Sequence, residues 1–118
     1  MSRPAPSIPV LPWGWRSMWV IAMFDLPTDT PKARKAYTTF RKSLIQDGFT
    51  MMQYSVYTRH CASIENADTH MGRMGAIVPA AGEVRFLSIT DRQFGRIRIF
   101  TGKKRTNPSN PPAQLELF

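Results

Sequence analysis

Met18-Trp19-Val20-Ile21-Ala22-Met23-Phe24-Asp25 decides how this chain folds. Seven apolar residues in a row, with Val, Ile and aromatics among them, predict a central strand covered on both faces. Asp25 ends the run abruptly. A carboxylate at the end of a buried strand needs a helix N-terminus, a cation or another partner. It either braces the loop that follows or serves as a ligand for a hard divalent ion such as Mg2+, which prefers carboxylate oxygens and keeps several waters. The residue types alone leave both open.

Downstream, Leu26 to Pro31 reads as a loop with a helix start inside it. Thr30 suits the N-cap and Pro31 the first helical position. Ala33, Ala36, Tyr37, Phe40 and Leu44 then recur at helical spacing, and Gly48 follows as the C′ residue. Lys32, Arg34, Lys35, Arg41 and Lys42 lie off that apolar stripe, which predicts a basic exposed face. Residues 50–59 alternate and predict a second strand. Ser63 suits the N-cap of a second helix carrying Ile64, Ala67, Met71, Met74 and Val78, with Pro79 as its stop. Val84 to Thr90 and Arg96 to Phe100 read as a third and a fourth strand, joined by a loop over residues 91–95. The order is βαββαβ-like, a ferredoxin-like α+β sandwich, provided that the second strand is long or split.

Upstream, residues 1–17 hold Pro4, Pro6, Pro9 and Pro12 and form an N-terminal extension outside the domain at 18–100. Residues 101–118 are a basic, proline-broken linker ending in Gln114-Leu115-Glu116-Leu117-Phe118. That short alternating segment, with Leu115, Leu117 and Phe118, is suited to add as a strand to a sheet edge of this chain or another.

The 118 residues suffice for one core, and 42% hydrophobic content argues against wholesale disorder. A domain of this size is often stabilised by a second subunit. One cysteine, Cys61, excludes an internal disulfide and fits a reducing cytoplasm. No apolar run approaches the roughly 20 residues of a membrane span, and prolines make the first residues a poor signal peptide. Sixteen Lys and Arg against eight Asp and Glu give a net charge of +8, which favours polyanions and nucleic acid above all.

Other chemistries find no support. His60, Cys61 and His70 lack metal-ligand spacing, and there is neither a Gly-rich phosphate loop nor a serine-nucleophile motif. Residues 92–100 partly follow the RNA-recognition-module pattern. The first glycine is missing, though, and Arg96 replaces a stacking aromatic.

Three segments together resemble the second core protein of CRISPR adaptation, the small dimeric partner of the spacer integrase. They are Phe24-Asp25-Leu26-Pro27-Thr28, the stretch from Phe49 to Arg59 with Gln53-Tyr54-Ser55-Val56-Tyr57, and Leu87-Ser88-Ile89-Thr90-Asp91-Arg92-Gln93-Phe94. The similarity runs from about Met18 to Phe100, with residues 1–17 lying ahead of the family's usual start. The loop after Asp25 and the Leu- and Phe-containing tail are most similar to members from type II systems.

That resemblance implies a ferredoxin-like homodimer with an extra C-terminal strand exchanged or docked at an interface. It implies that Asp25 is the Mg2+ ligand and catalytic residue of a phosphodiesterase, and that Lys32 and Arg34 contact nucleic acid. Two family roles follow, a metal-dependent nuclease and a scaffold that grips double-stranded protospacer DNA and bridges integrase dimers. One carboxylate per subunit is a sparse catalytic set, whereas cations are many, so the scaffold is favoured. Lys32, Arg34, Arg41, Arg96 and Arg98 would then hold phosphates without reading bases. A toxin-like, metal-dependent endoribonuclease is the alternative.

Overall fold

The computed structural model describes residues 16–102. Its first strand, β1 (Met18–Asp25), lies inside a four-stranded antiparallel sheet of order β2-β3-β1-β4. Around it come α1 (Pro31–Gln46), β2 (Thr50–Gln53), β3 (Val56–Cys61), α2 (Ile64–Gly75), β4 (Glu83–Thr90) and a short α3 (Asp91–Phe94). Up to β4 this is the βαββαβ order expected of a ferredoxin-like α+β fold.

β1 pairs with β3 from Met18↔Cys61 to Met23↔Val56, and with β4 from Met18↔Thr90 to Asp25↔Glu83. Met18, Val20, Ala22 and Phe24 belong to one buried cluster with Phe40 and Leu44 of α1, Tyr57 and Cys61 of β3, and Ala67 and Met74 of α2. By alternation, Trp19, Ile21, Met23 and Asp25 point to the other face of the sheet. Phe24 anchors the core, with its ring 5.4 Å from Phe40 and 5.6 Å from Tyr57.

The caps form as the sequence predicts. Thr30 Oγ1 accepts from the Ala33 N–H at 3.0 Å, and Ser63 Oγ accepts from the Asn66 N–H at 3.0 Å. Past α1, Gly48 N–H donates to Ile45 O and Phe49 N–H to Leu44 O, the paired bonds of a Schellman ending. Gly48 sits at φ 98°, and a Cβ there would lie 2.8 Å from Arg59 Nε. Backbone conformation and crowding both demand glycine at that position.

One open alternative is resolved and two expectations need correction. The second strand, read as long or split, is split into a hairpin: it breaks at Tyr54–Ser55, where Ser55 takes φ 60°. No Gly or Asn marks the turn. Tertiary bonds hold it instead, from Phe24 N–H to Ser55 O at 3.1 Å and between the Tyr37 and Ser55 hydroxyls at 3.2 Å. The fourth strand is therefore β4, and Arg96 to Phe100 forms no strand. The supposed loop before it is α3, nucleated by a capping box in which Thr90 Oγ1 accepts from Gln93 N–H and Gln93 Oε1 accepts from Thr90 N–H. That helix redirects the chain. Phe94 stacks on Trp19 with centroids 3.9 Å apart, and Trp19 Nε1 donates to Asp91 Oδ1 at 2.7 Å. The N-terminal extension up to residue 15 and the extra strand at residues 114–118 lie outside the described residues.

Candidate metal site and nucleic-acid interface

Asp25 ends β1 as expected, yet it is exposed and bears no burial cost. Its direct cross-strand neighbour is Glu83, the first residue of β4. Directly opposed residues have Cβ atoms about 5 Å apart, so two carboxylates share one corner of the sheet. Such a pair is mutually repulsive unless countered, and Arg85 Nη2 meets Glu83 Oε2 at 2.6 Å. The sequence disclosed one carboxylate here because the β1–β4 register is a tertiary fact; only the position of Glu83, directly after the turn at Gly82, pointed to it. Among the described residues no group of three or more His, Cys, Asp and Glu side chains is placed to hold a metal ion. One or two carboxylates with several retained waters is nevertheless a donor set that Mg2+ accepts, and Asp25 with Glu83 fits that description.

The cations divide between two places. Lys32 and Arg34 are exposed in the first turns of α1, with Lys35 and Lys42 exposed and Arg41 half-buried on the same helix. Arg34 Nη1 donates to Thr28 O at 3.1 Å, which braces the Asp25 loop and leaves its other N–H groups for a ligand. Lys32 and Tyr37 line a common cleft of about 410 Å³ together with Leu26, Pro27 and Ala80. Arg96 and Arg98 stand on the irregular segment after α3, where Arg98 lies 5.6 Å from the Phe100 ring centroid. They were expected on a strand and are on none. Leu115, Leu117 and Phe118 lie outside the described residues.

Asp47 has a structural role. Asp47, at the C-cap of α1, accepts from His70 Nδ1 at 2.7 Å and from Arg73 Nη1 at 2.6 Å, both on α2. Burial pushes the Asp47 carboxyl up, but the hydrogen bonds and charges of His70 and Arg73 outweigh it and hold the group below its ordinary value. Its backbone oxygen accepts from Arg59 Nε at 2.7 Å, so Asp47 joins α1, α2 and β3. Burial pushes the Cys61 thiol up despite the nearby Arg59, the opposite of what a nucleophile needs. No helix among the described residues is long and apolar enough to cross a membrane.

The face of the sheet away from α1 and α2 is covered in part, where Phe94 of α3 stacks on Trp19. It carries Ile89 and Leu87 of β4, the latter 49% exposed, beside Trp19, Ile21 and Met23. Ile99 and Phe100, in the segment after α3, are also strongly exposed.

Known proteins share both the pattern and the shape. The family model described as CRISPR associated protein Cas2 matches residues 18–97. A protein of Parvibaculum lavamentivorans named CRISPR-associated endoribonuclease Cas2 is 74% identical over 101 residues, which is 86% of this chain and all of that one. A protein of the same name from Flavobacterium psychrophilum is 48% identical over 104 residues, covering 88% of this chain and 90% of its own. The crystal structure of Streptococcus pyogenes Cas2 at pH 6.5 superposes with a TM-score of 0.55 at 20% identity, covering 70% of this chain and 99% of that one; it supports the fold alone. With this sheet order, this corner at Asp25 and these matches, the chain belongs to the CRISPR associated protein Cas2 family.

Proposed function

We propose that this chain is a homodimeric scaffold of CRISPR spacer acquisition, which grips double-stranded protospacer DNA by its phosphates and bridges integrase dimers. The observation that carries the proposal is the exposed cationic side of α1, where Lys32, Arg34, Lys35 and Lys42 all face solvent. Point charges on a solvent-facing helix attract backbone phosphates and read no sequence. Arg41, Arg96 and Arg98 extend the same chemistry. The sheet face away from α1 and α2 supplies the dimer contact, since its exposed Leu87 needs a second apolar surface. Unrelated duplexes are expected to bind with similar affinity; marked preference for one sequence overturns the phosphate-grip reading.

Nuclease activity is the second reading, favoured by the endoribonuclease name of the relatives and by the Asp25–Glu83 corner. Asp25, with Glu83 beside it, would hold Mg2+. The ion, when bound, supplies charge neutralisation at a phosphodiester and a more acidic water. Asp25 and Glu83 contribute oxygen ligands, while Arg85 limits their repulsion and Arg34 steadies the loop after β1. Asp25→Ala is expected to abolish Mg2+-dependent cleavage of RNA or DNA and leave duplex binding within about twofold, because the lost group is an anion. Cleavage that survives in a nuclease-free Asp25→Ala preparation removes the metal site from this corner.

The tail, through Leu115, Leu117 and Phe118, is proposed to dock by strand addition on the integrase. Deleting residues 114–118 is expected to abolish co-purification with that integrase. A complex that persists after the deletion overturns the docking role.

A further inference from the structure

Tyr54 stands at the tip of the β2–β3 hairpin and is 74% exposed, so it adds little to the core. Its ring stacks on Tyr37 of α1, with centroids 6.1 Å apart and planes 21° from parallel. Tyr37 is fixed from behind, tilted against Phe24 at 5.8 Å and with its hydroxyl 3.2 Å from Ser55 Oγ. Ser55 holds the tip in a left-handed backbone conformation that non-glycine residues seldom adopt. Strain of this kind persists only where the surroundings over-determine it.

Two further features place this aromatic pair in a nucleic-acid setting. The hairpin tip is tied to β1 one residue before Asp25, where the Phe24 N–H donates to Ser55 O at 3.1 Å. On α1, Arg34 precedes Tyr37 by three residues and Arg41 follows it by four, so an arginine is rooted one helical turn away on either side of Tyr37. An exposed aromatic, backed by a ring whose helix carries an arginine on either side, matches the chemistry that holds an unpaired base and its neighbouring phosphates.

We propose that Tyr54, backed by Tyr37, is a stacking platform for one unpaired nucleic-acid base, with Arg34 and Arg41 taking the phosphates on either side of it. The proposal rests on the nucleic-acid reading above and adds to it a preference for single-stranded or unpaired segments. Bases inside a duplex have both faces covered by their neighbours and cannot use the platform. Every base has a π-face, so the contact is tolerant of sequence.

The test uses the full chain, a short labelled single-stranded oligonucleotide of mixed sequence, and the corresponding duplex. Tyr54→Ala is expected to weaken single-strand binding about tenfold, the equivalent of about 1.4 kcal/mol, and to leave duplex binding unchanged. Tyr54→Phe keeps the ring and is expected to bind like the parent. Tyr54→Trp is expected to lose fluorescence when the single strand is added and to keep it when the duplex is added. If the parent protein binds neither probe, the platform and the nucleic-acid reading fall together. If the parent binds and Tyr54→Ala retains single-strand affinity, or loses duplex affinity equally, the platform alone falls. Because Tyr54 is exposed, the thermal midpoint of Tyr54→Ala should match the parent; if that variant unfolds, the Tyr54→Trp signal decides, and its absence overturns the platform.

Discussion

Asp47→Ala is expected to destabilise the domain by about 3 kcal/mol at neutral pH, more than a hundredfold in the unfolding equilibrium. The carboxylate is buried and serves two donors on α2, so its removal leaves the buried His70 without its acceptor and releases Arg73 from the end of α1. The sign of the pH dependence follows from the lowered native value of the group. The unfolded chain binds a proton near the ordinary value of 3.8, whereas the native state resists it until lower pH. The stabilisation is therefore complete above that ordinary value and is lost as pH falls through the lowered native one. Urea denaturation of parent and variant at pH 7 and through the acid range reads this directly. The gap between them should close on acidification. A gap under about 1 kcal/mol at pH 7, or one that ignores acid, sinks the account.

Salt is expected to act on nucleic-acid binding with still greater force. Each phosphate neutralised by Lys or Arg on duplex DNA contributes about −0.9 to the slope of log affinity against log salt. Lys32, Arg34, Arg41, Arg96 and Arg98 acting together give a slope of about −4.5, so a fourfold rise in salt weakens binding about 500-fold. Lys32→Ala should reduce the slope by about one and weaken unrelated duplexes equally. Fluorescence anisotropy across a salt series measures both. A flat salt dependence excludes the phosphate-grip reading, and an unchanged slope in Lys32→Ala removes that residue from the interface.

The parts of the fold written in local chemistry were legible from sequence. β1 announces itself by its apolar run, α1 by Thr30, Pro31, the Phe40 and Leu44 spacing and Gly48, and α2 by Ser63. What stayed hidden depends on distant residues. The hairpin at Tyr54–Ser55 has no turn-forming pair and exists because Phe24 and Tyr37 hold Ser55. α3 was legible in principle, as Thr90-Asp91-Arg92-Gln93 is a capping box, but Gly95 and a following apolar alternation made a loop and strand look better. At the site, Asp25 was visible because it interrupts a pattern. Glu83 was not, since only the antiparallel register brings it to Asp25. The Asp47–His70 pair, 23 residues apart, was likewise beyond any local pattern.

The sheet order also has a consequence for how the chain is made. β1 emerges first during synthesis, yet both strands that flank it come later: Met18 pairs with Cys61 on one side and with Thr90 on the other. The most apolar segment of the domain therefore waits for β3 to cover one edge, and its other edge stays unpaired until nearly the whole domain has left the ribosome. Closing such long loops before any reward from pairing slows folding and prolongs exposure of sticky surface. Nascent chains stalled before β4 should be the ones that chaperones hold and proteases find, which makes the last strand, rather than the first, the step that commits this protein to its native state.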